Sequence, residues 1–295
     1  MRKLGPVVAL AFALLCIPTS AFAWGAAAHQ MIMRQAIDLL PPELKPFFEH
    51  FKDEVVLRVN DPDLWRNVPW DDDANHFVDF GVPEYGKPPF AELPRDYDLA
   101  VQKFGVRVVK RNGLLPWRAA EMYGNLRRGF EGIARNNQYA IGDVTLFSSV
   151  LAHYVQDATQ PFHASDNYDG AQTGNNGIHS RFERDLFEKF GSRLRLAGPP
   201  PAPLTNPRDV SFDTLITSYG LVPGILAADK AAVGSKDVYD DEYFEKFFTA
   251  VQPTLEQQLS AAIRATAGFI IGAWEQAGRP KMYTEQPRPP QRVRK

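Results

Sequence analysis

Apolar residues recur at steps of three and four along most of this chain, with no sustained alternation of apolar and polar positions. That period is typical of amphipathic α-helices. Prolines and glycines divide the pattern, as Pro41-Pro42 does after the first stretch. The pattern predicts helices over residues 26–40, 42–57, 96–111, 116–135, 141–158, 179–194, 208–230, 240–251 and 254–277. We therefore expect an all-α fold, a single-domain multi-helix bundle.

A proline-rich segment at residues 197–207 is the main interruption of this pattern. It is long enough to be a linker. Helical pattern resumes directly behind it, so we predict one domain over residues 24–284. Residues 285–295 are rich in proline and arginine, and we expect them to be a disordered tail.

The first 23 residues have the pattern of a secretory signal peptide. Two basic residues precede an apolar run at 7–17, which is too short to span a bilayer, and Ala21-Phe22-Ala23 is a small-x-small cleavage site. We expect cleavage between Ala23 and Trp24 and a secreted or periplasmic protein. No later segment qualifies as a membrane span by this pattern, since the most apolar one, 261–274, contains an arginine.

Composition and charge exclude several classes of protein. The 295 residues are 44% hydrophobic and 23% charged, which is ordinary for a globular protein, and the net charge of −2 argues against a basic nucleic-acid-binding protein. The single cysteine lies in the predicted signal peptide, so neither a disulfide scaffold nor a cysteine-based zinc site is available. The six histidines therefore become the main candidates for chemistry.

Three predicted helices carry titratable side chains on their apolar faces. His29 extends the apolar stripe of the first, His153 and Asp157 that of 141–158, and His179 and Glu183 that of 179–194. Each case alone is more often a core histidine or a simple ion pair. Three such stripes favour one shared metal ion site, because buried imidazoles and carboxylates need compensation and side chains four residues apart lie on one side of a helix.

Two further histidines fit the same hypothesis. His163 follows Pro161, which ends a helix and turns the chain back towards its own stripe. His76 follows an acidic segment that contains Asp61 and Asp63. His50 has no partner pattern, and we interpret it as an ordinary helix histidine.

These residues resemble a known superfamily, the zinc-dependent phospholipases C of bacteria and the single-strand-specific zinc nucleases. The segment from His153 to His163, HYVQDATQPFH, is similar to the motif H-x-x-x-D-x-x-x-P-x-H, and His179-Ser-Arg-Phe-Glu183 is similar to H-S-x-x-[ED]. Trp24-Gly, with His29 just behind it, resembles the mature N-terminus of the family. The resemblance runs from Trp24 to Glu183, with weaker helical similarity to about residue 278.

The resemblance implies an all-α bundle around a trinuclear site of three Zn²⁺ ions. The first zinc is then bound by Asp63, His76, His153 and Asp157, and the second by His163, His179 and Glu183. The third is bound by the amino nitrogen and carbonyl oxygen of Trp24, by His29 and by Asp157 as a bridge.

The resemblance also implies an enzyme that hydrolyses phosphate esters with a zinc-bound hydroxide, which Asp63 orients or deprotonates. Asp61 is an alternative ligand, because its distance along the chain to His76 fits better. Asp63 is favoured because an aromatic residue and an arginine follow it, as in the family. Either residue alone could simply belong to a turn beside Pro62.

Two substrate classes stay open. A phospholipase C-type substrate is slightly favoured by Glu183, where many of the nucleases have aspartate, and by the short gap before His179. A single-strand-specific endonuclease or 3′-nucleotidase is favoured by the short distance from Trp24 to His29. Phe77 and Tyr168 are candidate contacts of a phospholipid or of a single-stranded nucleic acid or nucleotide. A non-catalytic protein with structural zinc is the further alternative; we expect a monomer without a protein partner.

Overall fold

The structure, a computed structural model, describes residues 24–66, 71–236 and 238–286. The predicted signal peptide and residues 287–295 of the predicted tail lie outside the described residues. The α-helices are α1 Ala26–Asp38, α2 Lys45–His50, α3 Lys52–Arg58, α4 Asp61–Trp65, α5 Tyr97–Phe104, α6 Val106–Arg111, α7 Leu115–Ala134, α8 Ala140–Asp157, α9 Ile178–Ser180, α10 Leu186–Phe190, α11 Pro207–Val233 and α12 Asp241–Gln276.

Shorter helical turns connect several of these helices. A π-helical turn, Arg181–Asp185, joins α9 to α10. The 3-10 turns are Asp73–His76, Pro83–Tyr85, Pro161–Ala164, Ala171–Thr173 and Gly191–Arg193. The described residues contain no β-strand, only an isolated bridge between Phe80 and Ser165. The expected all-α, single-domain bundle is therefore confirmed.

Helix α8 lies at the centre of the bundle. It packs against α1, α3, α7 and α12, and most of its residues are buried. Its most extensive contact is with α7, which buries ten of its own twenty residues in the core. Because α8 is enclosed on several sides, its buried polar residues must find partners inside the protein.

The hydrophobic core has a main part and a smaller second part. The main part surrounds α8 and includes aromatic residues of α2, α7 and α12. The second lies under residues 78–101, where Phe80 stacks on Phe90 at a ring-centroid distance of 4.2 Å, and Phe212 of α11 completes it.

Several helix boundaries differ from those predicted. The two helices predicted at 240–251 and 254–277 are one helix, α12, which continues through Pro253. The carbonyl that Pro253 leaves without an amide partner belongs to exposed Thr249, so water can bind it. The helix predicted at 96–111 is divided at Gly105, whose φ of 80° is incompatible with a continuous helix. The helix predicted at 42–57 is divided at Phe51, and α4 was not predicted.

Helix α11 is the one helix in the described part of the chain that could cross a membrane by length and composition, a test that core helices of soluble proteins also pass. This differs from the expectation that no segment after residue 23 qualifies. In the structure α11 packs against α7 and α12, and it buries Asp229 in an ion pair with Arg181.

The proline-rich segment lies along α12 as a strap. The Leu204 amide donates to the carbonyl of Gly268 over 2.9 Å, and the Gln276 side chain donates to the carbonyl of Thr205. A Cβ atom at Gly272 would lie 2.0 Å from the Leu204 carbonyl oxygen. The absence of side chains at Gly268 and Gly272 therefore allows the strap to approach the helix backbone.

We expect Gly272→Ala to destabilise the protein by about 1–3 kcal/mol, because the strap must move to accommodate the methyl group. The matched control is Gly220→Ala in α11, where an added Cβ meets no atom within 4 Å. That control should be neutral or stabilising by up to about 1 kcal/mol. Urea unfolding of both variants measures the difference, and equal stability would contradict close docking of the strap.

Candidate metal centre

Seven elements of different parts of the chain bring eight titratable side chains to one place. Helix α8 contributes two of them near its end, and the short helices and turns contribute most of the others. The residues are His29 of α1, Asp63 of α4, His76 at the end of the turn Asp73–His76, His153 and Asp157 of α8, His163 of the turn Pro161–Ala164, His179 of α9, and Glu183 of the π-helical turn. All eight are buried.

The side chains form three groups that can bind metal ions. The groups are His29/His153/Asp157, Asp63/His76/His153 and His163/His179/Glu183. Within each group the potential ligand atoms all lie within 4.8 Å of one another. We call the third group the outer group, because it borders an open cleft. His153 belongs to both of the other groups, so these two adjoin.

Asp157 faces two different sets of histidines with its two oxygens. Its Oδ2 lies 3.0 Å from His76 Nδ1 and 3.4 Å from His153 Nε2, and its Oδ1 lies 3.5 Å from His29 Nε2. This arrangement is what a carboxylate bridging two metal ions requires. Its position in the last turn of α8 is otherwise unfavourable, since the negative end of the helix dipole repels a carboxylate.

Three of the histidines are oriented by a hydrogen-bond acceptor at the ring nitrogen that faces away from the cluster. Nδ1 of His29 donates to Gln156 Oε1, Nδ1 of His153 donates to the Val59 carbonyl, and Nδ1 of His163 donates to the His76 carbonyl. An oxygen of this kind only accepts, so the proton is on Nδ1 and the lone pair is on Nε2, which faces the cluster. Metal-binding histidines are typically held by such a partner.

His76 is oriented in the opposite sense. Its Nδ1 faces the cluster, and its Nε2 lies 3.3 Å from Oδ2 of buried Asp72. Tyr154 and Asn75 both donate to the Asp72 carboxylate. Burial disfavours the charged form of Asp72, but hydrogen bonds from His76, Tyr154 and Asn75 outweigh this effect and lower the pKa of Asp72. Asp72 is therefore the carboxylate that positions His76.

Several buried atoms of the cluster have no hydrogen-bond partner among the described residues. They include both oxygens of Asp63, Oδ1 of Asp157 and Nε2 of His29. Buried polar atoms are almost always satisfied, and each exception needs an explanation. A bound cation explains these exceptions together, so the residues fit a metal ion.

Burial and charge determine the protonation of the histidines. Burial lowers the pKa of His29, and it lowers those of His153 and His163 well below the usual value, which favours the neutral imidazoles that metal ions need. Burial also lowers the pKa of His76, but its hydrogen bonds to Asp157 and Asp72 outweigh that effect and raise it to about 9. Burial, with the charge of Asp157, raises the pKa of Asp63 to about 8.

The outer group depends on a local helical irregularity. His179 Nε2 lies 2.9 Å from Glu183 Oε2, and Gln160 donates to the same carboxylate oxygen over 2.8 Å. Glu183 lies in the π-helical turn Arg181–Asp185, a rare conformation that is frequent at functional sites. Glu183 is buried beside His179, and His179 lines the cleft.

A cleft of about 600 Å³ opens over the outer group. Both predicted substrate contacts line it: Phe77 follows His76, and Tyr168, 54% exposed, has its ring centroid 6.3 Å from that of His179. The remaining lining includes the charged residues Arg66, Asp73, Asp79, Asp169 and Arg184. The predicted contacts therefore lie where a substrate would reach the outer group, and their role stays a prediction.

The geometry favours Asp63 over Asp61 as the candidate metal ligand near His76. Asp61 accepts a hydrogen bond from Arg58 over 3.1 Å and belongs to none of the three groups. His50 is exposed, with its ring against Phe51.

The Trp24 side chain is buried, and its indole nitrogen donates to the Gln156 carbonyl and to Thr159. This anchors Trp24 beside the end of α8, while metal binding by its backbone atoms stays a prediction.

Sequence reasoning missed the residues that orient the ligands, namely Asp72, Gln156 and Gln160. Asp72 precedes His76 by four residues, which is also the spacing of His153 and Asp157 and of His179 and Glu183. Asp72 contacts the ring nitrogen of His76 that faces away from the cluster. Gln156 and Gln160 lie inside the most specific motif, at positions that the motif leaves open. The available signal for all three residues was that they lie close to predicted ligands along the chain.

We expect His153→Ala to lose bound metal, because His153 belongs to two of the three groups. His50→Ala is the matched control and should keep the metal content of the unaltered protein, since His50 is exposed and outside every group. Elemental analysis of both purified variants measures this. Metal retained in full by His153→Ala would contradict the assignment.

A second prediction concerns Asp79 and pH. Burial, with the charges of Asp166 and Asp73, raises the pKa of Asp79 from 3.8 to about 7. Since the folded pKa exceeds the unfolded one, Asp79 contributes stability below about pH 4 that is lost as pH rises through about 7. Asp79→Asn should therefore gain stability relative to the unaltered protein on going from pH 4.5 to pH 8, by up to about 3 kcal/mol.

Urea unfolding of both proteins, treated with a chelator, measures this difference at each pH. The comparison within each pH removes the effects of the other titrating groups. A difference that does not change with pH would contradict the burial of an ionisable Asp79.

Comparison with known proteins provides no further identification. No protein-family model matches the chain, and a search of curated proteins found no match. The likeness to the phospholipase C and nuclease superfamily therefore depends on the motifs quoted above.

Proposed function

We propose that the chain is a zinc-dependent hydrolase of phosphate esters. The observation that carries the proposal is the arrangement of the three groups. Two of them adjoin through His153, and the outer group borders a cleft large enough for a substrate. A purely structural zinc site is usually closed by four protein ligands, so a three-residue group open to a cleft favours catalysis.

The donor set supports zinc as the ion. The set consists of five histidine and three carboxylate side chains, and zinc commonly binds imidazole nitrogens together with carboxylate oxygens in proteins. One ion in each group makes three. Trp24 would complete the set beside His29 through its backbone atoms after cleavage at Ala23.

Several residues of this chain have definable roles in such a reaction. Bound divalent ions would lower the pKa of a water molecule and neutralise charge on a phosphate. Asp63 has both carboxylate oxygens without a hydrogen bond, so one of them can accept the proton of the attacking water. Arg66 lines the cleft beside Asp63, with its Nη1 3.8 Å from Oδ1, and places a fixed positive charge next to the site.

A phospholipase C-type substrate is the favoured one. The cleft combines the aromatic rings of Phe77 and Tyr168 with the carboxyl group of Asp169. Aromatic rings with nearby negative charge bind quaternary ammonium groups such as choline. A phosphatidylcholine headgroup therefore fits the cleft, with its phosphate towards the outer group.

A nucleic-acid substrate is the second candidate, and a different observation favours it. A second groove of about 420 Å³ shares Asp73 and Phe77 with the cleft and is bordered by Arg107, Lys110 and Arg111. Basic side chains along a groove can bind the phosphates of a single strand. Lys110 and Arg111 are paired with Asp71 and Glu84, which reduces this attraction.

We also propose that the protein works outside the cytoplasm as a monomer. Cleavage before Trp24 would produce the free amino group that the third site needs. The support is the signal-peptide pattern of residues 1–23.

To identify the substrate, the mature protein is first loaded with zinc. It is then given phosphatidylcholine, single-stranded DNA and 3′-nucleotides in parallel assays, with bis(p-nitrophenyl) phosphate as a generic phosphodiester. We expect hydrolysis of the generic substrate and the highest kcat/KM for phosphatidylcholine. Tyr168→Ala should lower that value roughly 5- to 30-fold, since an aromatic contact with a cation contributes about 1–2 kcal/mol.

Tyr139→Ala is the control, because Tyr139 is 66% exposed and does not line the cleft. It should leave every rate unchanged. Turnover of DNA alone would identify the nuclease instead, and no turnover of any ester by the zinc-loaded protein would contradict the proposed function.

A further inference from the structure

A buried ion pair lies between the outer group and the two long helices behind it. Arg181, 6% exposed, belongs to the π-helical turn that carries Glu183, and Asp229 of α11 is 2% exposed. Arg181 Nη2 lies 3.0 Å from Asp229 Oδ1 and 3.1 Å from Oδ2. The Tyr243 hydroxyl of α12 donates to Oδ1, and the Tyr239 ring stacks on the guanidinium at 4.0 Å.

The same arginine binds the loop in front of His179. Its Nη1 donates to the Asn176 carbonyl over 2.6 Å, and its Nη2 donates to the Asn175 carbonyl over 3.2 Å. Asn175 is itself buried, and its side-chain amide donates to Asp229 and to the Leu226 carbonyl. One guanidinium and one carboxylate thus hold both the loop and the helix that follows it.

The position of His179 depends on these contacts. His179 is three residues after Asn176 and two before Arg181, so the segment between two anchored points contains the ligand. Gly177 between them has a φ of 78°, and a Cβ there would lie 2.9 Å from Arg181 Nη1. The loop therefore follows the guanidinium closely, and Tyr168 and Asp169 at the cleft belong to the same loop.

Stability alone does not account for a buried ion pair at this place. Removing two charges from water is costly, and apolar residues of similar size often stabilise a core equally well or better. Apolar side chains, however, cannot bind the two loop carbonyls. What this pair adds is a set of hydrogen bonds that hold the loop in front of His179.

We propose that Arg181 and Asp229 are positioning residues that hold the outer group ready for its metal ion. This inference rests on the proposed function, because it requires a zinc ion bound by His163, His179 and Glu183. The pair has no contact with the other two groups among the interactions given above. Its loss should therefore weaken one zinc ion and leave the others in place.

The experiment uses the double variant Arg181→Met/Asp229→Asn in the mature protein. It removes both charges, so neither is left buried alone, and the new amide side chain keeps a polar group for Tyr243 and Asn175. Competition with a chelator measures the Kd of each zinc ion. We expect the Kd of the ion in the outer group, identified as the one that His179→Ala loses, to rise roughly 10- to 100-fold, the usual effect of losing an orienting partner, with the Kd values of the other ions unchanged.

Four further variants separate positioning from general stability. Arg193→Met/Glu245→Gln removes an exposed ion pair between the turn Gly191–Arg193 and α12, and it should leave every Kd unchanged. His179→Ala removes the outer group itself. In that background the double variant at 181 and 229 should cause no further loss of zinc affinity, because the coupling partner is absent. Tyr243→Phe, which removes only the hydroxyl, should give a smaller effect in the same direction.

The outcomes are distinct. If the unaltered protein binds no zinc, the proposed function is wrong and this inference is wrong with it. If it binds zinc and the double variant has the same Kd values, the inference alone is wrong. An effect that persists in the His179→Ala background, or that weakens all ions equally, also overturns it.

Discussion

The requirement to compensate buried carboxylates dominates this structure. Asp63, Asp157 and Glu183 lie inside the protein among five histidines, and several of their oxygens lack a hydrogen-bond partner among the described residues. The negative end of the α8 dipole makes the position of Asp157 less favourable still. Without metal, a protonated His76 supplies part of the missing charge, as its raised pKa indicates. Divalent ions would supply the rest, so stability and metal binding are coupled at this site.

The scaffold around the cluster has two levels of support. Single acceptors orient the individual rings, as the Val59 carbonyl does for His153 and Asp72 does for His76. Larger elements hold whole segments, as the pair of Arg181 and Asp229 does for the loop before His179. The two groups that share His153 are built around α8, and of their members only His76 lines the cleft, whereas the outer group lies on short turns beside it. The outer group is therefore the part of the site where position depends most on polar contacts.

The helical pattern predicted the bundle because the apolar stripe of a helix is a local property that can be read from neighbouring residues. Helix ends were less predictable. Pro253 suggested a break in α12, yet the helix continues because the freed carbonyl of Thr249 is exposed to water. Gly105 did not suggest a break between α5 and α6, and its positive φ became visible only in the structure.

The sequence by itself determined the all-α class and the candidate ligands, because spacing on a helix places side chains such as His153 and Asp157 on one face. It left Asp63 and Asp61 as alternatives, and it did not reveal the role of Asp72. Only the tertiary structure shows that Asp63, and not Asp61, faces His76 across the fold, and that Asp72 contacts the other ring nitrogen of His76. Contacts between residues far apart in the chain arise from tertiary packing, and the pattern of neighbouring residues in the sequence does not specify them.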